Sequence, residues 1–398
     1  MKKTLFALAA VGAFAGAAQA QSSVTVYGNL DVAAASAENK TTTAAGAVTT
    51  AKSRTTGNGD GALSTSVIGF RGTEDLGGGT KANFNLEYDL VDLAQGGNGA
   101  NTSSTVADSN GATSATTSTG FGARLGWIGL SDAKMGELRL GRQFQLMHTT
   151  IGNGLAGQGN NVAGSFYSAG TNSMANSSTV RPHLVFVNRA VTYMSPVFAG
   201  FQLNAQTSNQ SLSASDTVNA TSANETAISA TYAGIKNLSL AAAVSRAENN
   251  TGIASQATKV AIQAFTANYN FGAVQAFGAA VQNKTSTPGD SLYAKTTTYE
   301  LGLRAPVSPV VTLWASAFTG SRDGNSSSTT AVITGSNAIT TVLGSADVSG
   351  FQLGSTYSLS KRTSLYGIYG NQTIKGKSAQ TGAKSESTGI AVGMRHTF

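Results

Sequence analysis

The 398-residue chain contains no cysteine, which excludes a disulfide framework and any thiolate metal site. It has only three histidines, His148, His183 and His396, and none stands at a metal-ligand spacing from another. Charge is sparse too, with Asp, Glu, Lys and Arg together making up 11% of the residues. The formal charge of +7 is dispersed, two units of it lie on Lys2 and Lys3, and no basic tract of the kind that binds nucleic acid is present. Past residue 20, no run approaches the ~20 consecutive apolar residues of a membrane helix. If the chain crosses a membrane, it does so with strands.

Catalytic patterns are equally thin. Gly152-Asn153-Gly154-Leu155-Ala156-Gly157 has the spacing of a dinucleotide loop, but no helical period follows it and no acidic residue occurs for a long way after it. Ser358-Leu359-Ser360-Lys361 imitates an acyl-transfer motif on a tight turn, without its companion motifs. The sequence assigns no active site, no cofactor and no metal centre, and it reads as a non-enzyme.

What the chain does have is an export signal and a long series of alternating segments. Lys2, Lys3, the apolar stretch Leu5 to Gly16 and the small-residue site Ala18-Gln19-Ala20 read as a signal peptide over residues 1–20, cleaved before Gln21. The remainder, 21–398, reads as one domain. Lys81 to Leu93 displays the pattern most clearly: Ala82, Phe84, Leu86, Tyr88 and Leu90 interleave with Lys81, Asn83, Asn85, Glu87 and Asp89. Period two means a strand whose faces meet two different surroundings. About 16 such segments run from Val24 to Ala35, through Leu63 to Gly72, to Thr388 to Phe398. Their connections switch between tight turns, such as Glu74 to Gly79 and Ser131 to Gly136, and Ser/Thr/Asn/Gly-rich loops. The stretches Ala37 to Gly61, Gln95 to Ser118 and Asn325 to Ser345 read as solvated loops. Aromatic residues near strand ends, among them Tyr193, Phe198, Phe201, Phe271, Tyr357, Tyr366 and Phe398, suit a girdle at the headgroup level of a bilayer.

These features predict an all-β fold, a transmembrane antiparallel β-barrel of 16 strands in the outer membrane. The last strand ends on Phe398 and pairs with the first to close the ring, with Arg395 on the channel side. The longest connection, Phe144 to Val180, differs from the other loops. No Asp or Glu occurs between Glu137 and Asp216, whereas Arg139, Arg142, Arg181 and Arg189 all do. Folded inward, such a loop narrows the lumen beside fixed positive charge, and anions are enriched there.

Five segments in order carry a family resemblance: Ser23-Val24-Thr25-Val26-Tyr27-Gly28-Asn29-Leu30-Asp31, Gly69-Phe70-Arg71-Gly72-Thr73-Glu74-Asp75-Leu76-Gly77-Gly78-Gly79, Leu140-Gly141-Arg142-Gln143, Tyr193-Met194-Ser195-Pro196-Val197-Phe198-Ala199-Gly200-Phe201 and Val392-Gly393-Met394-Arg395-His396-Thr397-Phe398. They resemble the general, non-specific porins of Gram-negative bacteria, in particular the beta-proteobacterial branch. The resemblance implies a homotrimer of 16-stranded barrels whose long third extracellular loop folds into the lumen as a constriction, with Arg142 on its basic side. Three departures stand out. Val67 occupies a place where many relatives carry Arg, Asn188-Arg189-Ala190 shifts a second Arg in register, and the loop lacks the acidic residues that many relatives place opposite the arginines.

The expected function is passive diffusion of small hydrophilic solutes and ions with anion preference. A substrate-selective channel with a defined solute site is the alternative. Arg142 and Arg189 are the filter candidates, Arg124 and Arg71 lumen charges further along the wall, and Arg181 a further candidate. Pairing of Arg71 and Arg124 with inward carboxylates such as Glu87, Asp89 or Glu300 is left open. Expected partners are two further copies of the chain, outer-membrane lipid and lipopolysaccharide, and the barrel-assembly machinery through the strand ending at Phe398.

Overall fold

Period-two alternation is realised around a closed ring. The computed structural model describes residues 23–58, 61–90, 105–107, 113–115, 122–157, 159–166, 185–211, 222–250, 258–287, 290, 292–324, 345–377 and 381–398. The strands are β1 (Ser23–Thr42), β2 (Val48–Asn58), β3 (Val67–Gly77), β4 (Thr80–Asp89), β5 (Thr105–Ala107), β6 (Thr113–Ala115), β7 (Gly122–Asp132) and β8 (Gly136–Phe144). After the short helix α1 (Leu146–Gly152) come β9 (Phe186–Met194), β10 (Phe201–Ser211), β11 (Ser222–Tyr232), β12 (Leu238–Asn250), β13 (Thr258–Asn270) and β14 (Gln275–Ser286). The ring is completed by β15 (Tyr293–Pro306), β16 (Val311–Gly324), β17 (Ala346–Ser358), β18 (Thr363–Gly376) and β19 (Lys384–Thr397).

Neighbours around the ring pair antiparallel, and β1 closes it against β19 from Asn29 opposite Thr397 to Thr42 opposite Lys384. The other edge of β1 pairs with β3 in its lower part and β2 in its upper part. β2 and β3 therefore share one position, which makes a 16-position barrel, while β5 and β6 form a separate short hairpin. Turns of a few residues lie at the end that holds Ser23 and Phe398, and the longer connections lie at the other. No helix is long and apolar enough to cross a membrane among the described residues.

The two faces are inverted relative to a water-soluble protein. Glu300 is 2% exposed while its neighbour Leu301 is 73% exposed. Gln206, Ser245, Thr266, Gln352 and Gln372 are buried on the inner side, and Leu203, Ile228, Val244, Phe265, Leu353 and Val392 are exposed outside. Only a solvent that is itself apolar makes that outer face favourable, and the closed ladder leaves no unpaired edge to it. Phe198, Phe201, Phe271 and Tyr357 project from the turn end as a girdle requires. Tyr366 does not: it is buried on the inner face, where its hydroxyl donates to Asp31.

Two further expectations are corrected. Ala37 to Gly61 is not a solvated loop, because the upper part of β1 and β2 form a hairpin from Ala33 to Asn58. The second wall strand starts at Val67, not Leu63, and residues 61–66 leave the wall. The signal-peptide residues 1–20 and most of Gln95 to Ser118 and Asn325 to Ser345 lie outside the described residues.

The seam is closed by two backbone hydrogen bonds, Gly28 N to Phe398 O at 3.2 Å and Phe398 N to Gly28 O at 3.1 Å. A Cβ at Gly28 would lie 2.6 Å from the Phe398 ring, so only glycine lets the terminal ring fold onto the first strand.

Candidate functional site

Between β8 and β9 the long connection turns back onto the polar face of the wall. Leu146, Met147, Thr150 and Ile151 form the buried side of α1. This stripe is a helical signal in the sequence, although it spans barely two turns. Met147, Ile151, Leu155 and Phe166 pack against Ala243, Ile262, Ala264, Val281, Phe318 and Val348 from five wall strands. Polar wall residues hold the same segment along its length. Gln145 donates to Glu225, Thr266 Oγ1 to Thr150 O at 3.1 Å, Asn268 Nδ2 to Asn153 O at 3.0 Å, and Arg304 to Ala156 O. Ser165 Oγ and Phe166 N both donate to Glu300, at 2.8 and 3.1 Å. Gln352 is fully buried and donates to Asn160 Oδ1, Val162 O and Ala163 O at 2.9, 2.7 and 3.0 Å, while accepting from Asn160 Nδ2 at 2.7 Å. Gly152 and Gly154 belong to this packed turn, and Gly154 abuts Thr266 and Gly278, leaving no phosphate cradle.

At the root of the segment stand the arginines. Leu138 and Leu140 face outward, so strict alternation would turn Arg142 outward with them. Two irregularities prevent this. Gly141 adopts a left-handed φ of 127°, and Arg142 alone opposes the pair Asn188 and Arg189 on β9, a β-bulge. A Cβ at Gly141 would lie 2.9 Å from Trp127 Cα. On the other side, Arg124 is the extra residue of a second bulge, between β4 and β7. As a result the guanidinium carbons of Arg142 and Arg124 lie 4.8 and 5.0 Å from the centroid of one ring, Phe186. Phe186 stacks on Phe144 at 5.1 Å, and Phe144 on His148 at 5.3 Å.

The two arginines differ in their partners. Arg124 Nε and Nη1 bind Glu87 and Asp89 at 2.8 and 2.9 Å. Arg142 has no carboxylate within 4 Å among the described residues, and it donates to Ala123 O and Arg124 O at 3.0 Å each and to Asn188 Oδ1. The acidic charge nearest the pair is thus directed into Arg124, while Arg142 is held by neutral acceptors.

Arg189 is exposed at the bulge with a left-handed φ of 49°. Asn188, one residue earlier, is the group that reaches Arg142, and the adjacent Asn-Arg dipeptide gave no sign of which would do so. Arg71 is exposed on the inner side, 5.2 Å from the Tyr27 ring, and Tyr27 donates to Asn85 at 2.8 Å and Glu87 at 2.9 Å. Arg181 lies outside the described residues. The sequence offered no signal for Arg304, which sits over Phe277 at 5.0 Å while bound to Ala156 O.

A model of the Gram-negative porin family matches residues 7–377 of the chain. Outer membrane porin protein 32 of Delftia acidovorans is 31% identical over 436 aligned residues, covering 100% of both chains. The anion-selective porin from Comamonas acidovorans aligns with a TM-score of 0.63 at 25% identity, over 95% of this chain and 100% of that one. The trimer form of OmpT from Vibrio cholerae aligns with a TM-score of 0.57 at 11% identity, over 95% and 99% of the two chains, a likeness of fold alone.

Proposed function

The chain belongs to the family of Gram-negative porins of the outer membrane, and from that premise we propose that it forms a water-filled, anion-preferring diffusion pore whose narrowest part is bounded by the inward segment 145–166. Arg142 carries the reading: a guanidinium held, among the described residues, by carbonyl and amide oxygens, beside a segment free of acidic residues. Such a charge keeps its field for passing ions, which a low-dielectric wall strengthens. Arg189 and Arg71 add exposed positive charge, and Arg124 serves mainly to absorb Glu87 and Asp89. The relative from Comamonas acidovorans is itself described as anion-selective. Reversal potentials of the reconstituted protein across a potassium chloride gradient test the proposal. Anion preference with conductance that does not saturate with added solute is expected, cation preference would overturn it, and saturable block by one solute would favour a substrate-selective channel.

Cleavage after residue 20 delivers the chain to the periplasm in this reading, and the assembled form is a homotrimer in contact with lipopolysaccharide. At the loop end of the outer face, Lys375 stands directly opposite Lys384, with Lys40, Lys52 and Lys377 nearby against Glu38, Glu386 and Asp347. Directly opposed like charges disfavour pairing unless an anion bridges them, and lipid phosphate does so. Native mass spectrometry from mild detergent should read three copies with retained glycolipid. Phe398 is the proposed assembly signal: its deletion should remove most of the heat-modifiable folded barrel from outer membranes, and normal amounts would refute that role.

A further inference from the structure

Between β2 and β3 the wall itself is interrupted. β1 pairs with β2 down to Ala33 opposite Asn58, and with β3 from Asn29 opposite Val67. Residues 61–66, part of the chain that joins them, are laid along the inner face instead. Ser66 Oγ replaces the missing ladder partner of Asp31, accepting from its N–H at 2.9 Å and donating to its carbonyl at 3.1 Å. The Asp31 carboxylate takes Ser64 N at 2.7 Å, Ser64 Oγ at 3.1 Å and the Tyr366 hydroxyl. Ala62 N donates to the Tyr366 hydroxyl oxygen at 3.1 Å. Asn29 Nδ2 holds Thr65 O at 2.9 Å. Ala62 is fully buried in a cluster with Ala33, Tyr366, Trp314 and Val162.

Val162 belongs to the inward segment of the long loop. Its neighbour Asn161 donates from its backbone N to Ala62 O at 2.9 Å and from Nδ2 to Gly61 O at 3.2 Å. Residues 160–163 of the loop therefore rest on one side against the wall through Gln352 and on the other against a strap from the first extracellular connection.

We infer that residues 61–66 position the tip of segment 145–166 and so set the bore of the pore, with Asp31 anchoring the strap and Asn161 joining it to the loop. The inference rests on the proposal that this segment bounds the constriction. Asp31 and Asn161 act here as positioning residues. Releasing residues 61–65 lets the tip move while the ring stays paired, because only Ser66, whose carbonyl accepts from Leu90 N at 2.9 Å, continues the ladder.

The absence of cysteine permits a direct test. A backbone hydrogen bond brings Cα atoms to within disulfide reach, about 5–6 Å, so Ala62→Cys with Asn161→Cys can lock strap to loop. Single-channel recordings of Asp31→Asn, Asn161→Ala and the oxidised cysteine pair, each checked for heat-modifiable folding, give the readout. Asp31→Asn and Asn161→Ala should raise conductance on the order of 1.5-fold with more open-channel noise, since current follows the open cross-section. Oxidation of the cysteine pair should return the Asp31→Asn channel to wild-type conductance, and reduction should undo that. If Asp31→Asn does not fold, Asn161→Ala and the cysteine pair in the wild-type background decide. Wild-type conductance and noise in the strap variants, with an enlarged pore in Gln352→Leu, would overturn the strap. Unchanged conductance in Gln352→Leu as well would instead overturn the constriction itself.

Discussion

Replacing Arg142 by alanine is expected to lower the chloride-over-potassium permeability ratio at least about tenfold. A unit charge ~6 Å from an ion is worth ~3 kcal/mol at an effective dielectric of 20 and ~0.7 kcal/mol at the value of water, and a wet constriction lies between. One ion loses what the other gains, so the ratio moves by roughly twice that figure, and ~1.4 kcal/mol is already tenfold. The effect should be largest at low ionic strength, where screening is weakest. Arg142→Lys should keep most of the preference, since charge and not fork geometry acts on a passing ion. Removing Arg124 should do more than removing one cation, because Glu87 and Asp89 would lose the group that neutralises them. Reversal potentials decide, and an unchanged value in Arg142→Ala would remove this residue from the filter.

Gln352→Leu is the second large effect. The buried amide satisfies Asn160 and the carbonyls of Val162 and Ala163 together. Leucine approximates its volume and supplies none of these bonds. Each buried polar group left unsatisfied costs about 1–3 kcal/mol, and three of them together rival the packing that holds the loop. Detachment of the loop relieves that penalty, since pore water can then reach Asn160 and both carbonyls. The expected result is a barrel that still folds, at lowered thermal stability because the apolar cluster of the loop is exposed, with larger single-channel conductance and faster uptake of bulky hydrophilic solutes by cells. Normal conductance in a folded Gln352→Leu protein, where Asp31→Asn and Asn161→Ala do enlarge the pore, would show that the loop holds without this clamp.

How much of this was legible beforehand depended on whether two solvents acted on a segment. Where one face meets lipid and the other water, as from Lys81 to Asp89, hydrophobicity alternates and the strand is visible. The β1–β2 hairpin rises above that level, both its faces are polar, and nothing in Ala37 to Asn58 alternates; its ladder is invisible to that signal. The same limit applies to the site. Arg142 was legible as one of four arginines in an acid-free stretch, but its direction is set by the β8–β9 bulge and by the backbone of Gly141, which period-two reasoning steps over. Tyr366 looked like a girdle residue by its place near a strand end, yet its partner Asp31 lies 335 residues away in sequence. Contacts of that kind exist only after the ring has closed.

The inverted faces leave the wall with no dry interior of its own, and the chief apolar cluster lies where Met147, Ile151, Leu155 and Phe166 meet the wall. The element proposed to narrow the passage is then also the element that supplies the molecule with a conventional packed centre. Permeability and robustness become one trait: a cell that needs faster intake, or tighter exclusion of a toxic compound, draws on the same few side chains that hold the protein together. Adaptation at this locus should therefore proceed through compensated pairs of changes, loop against wall, more readily than through single ones.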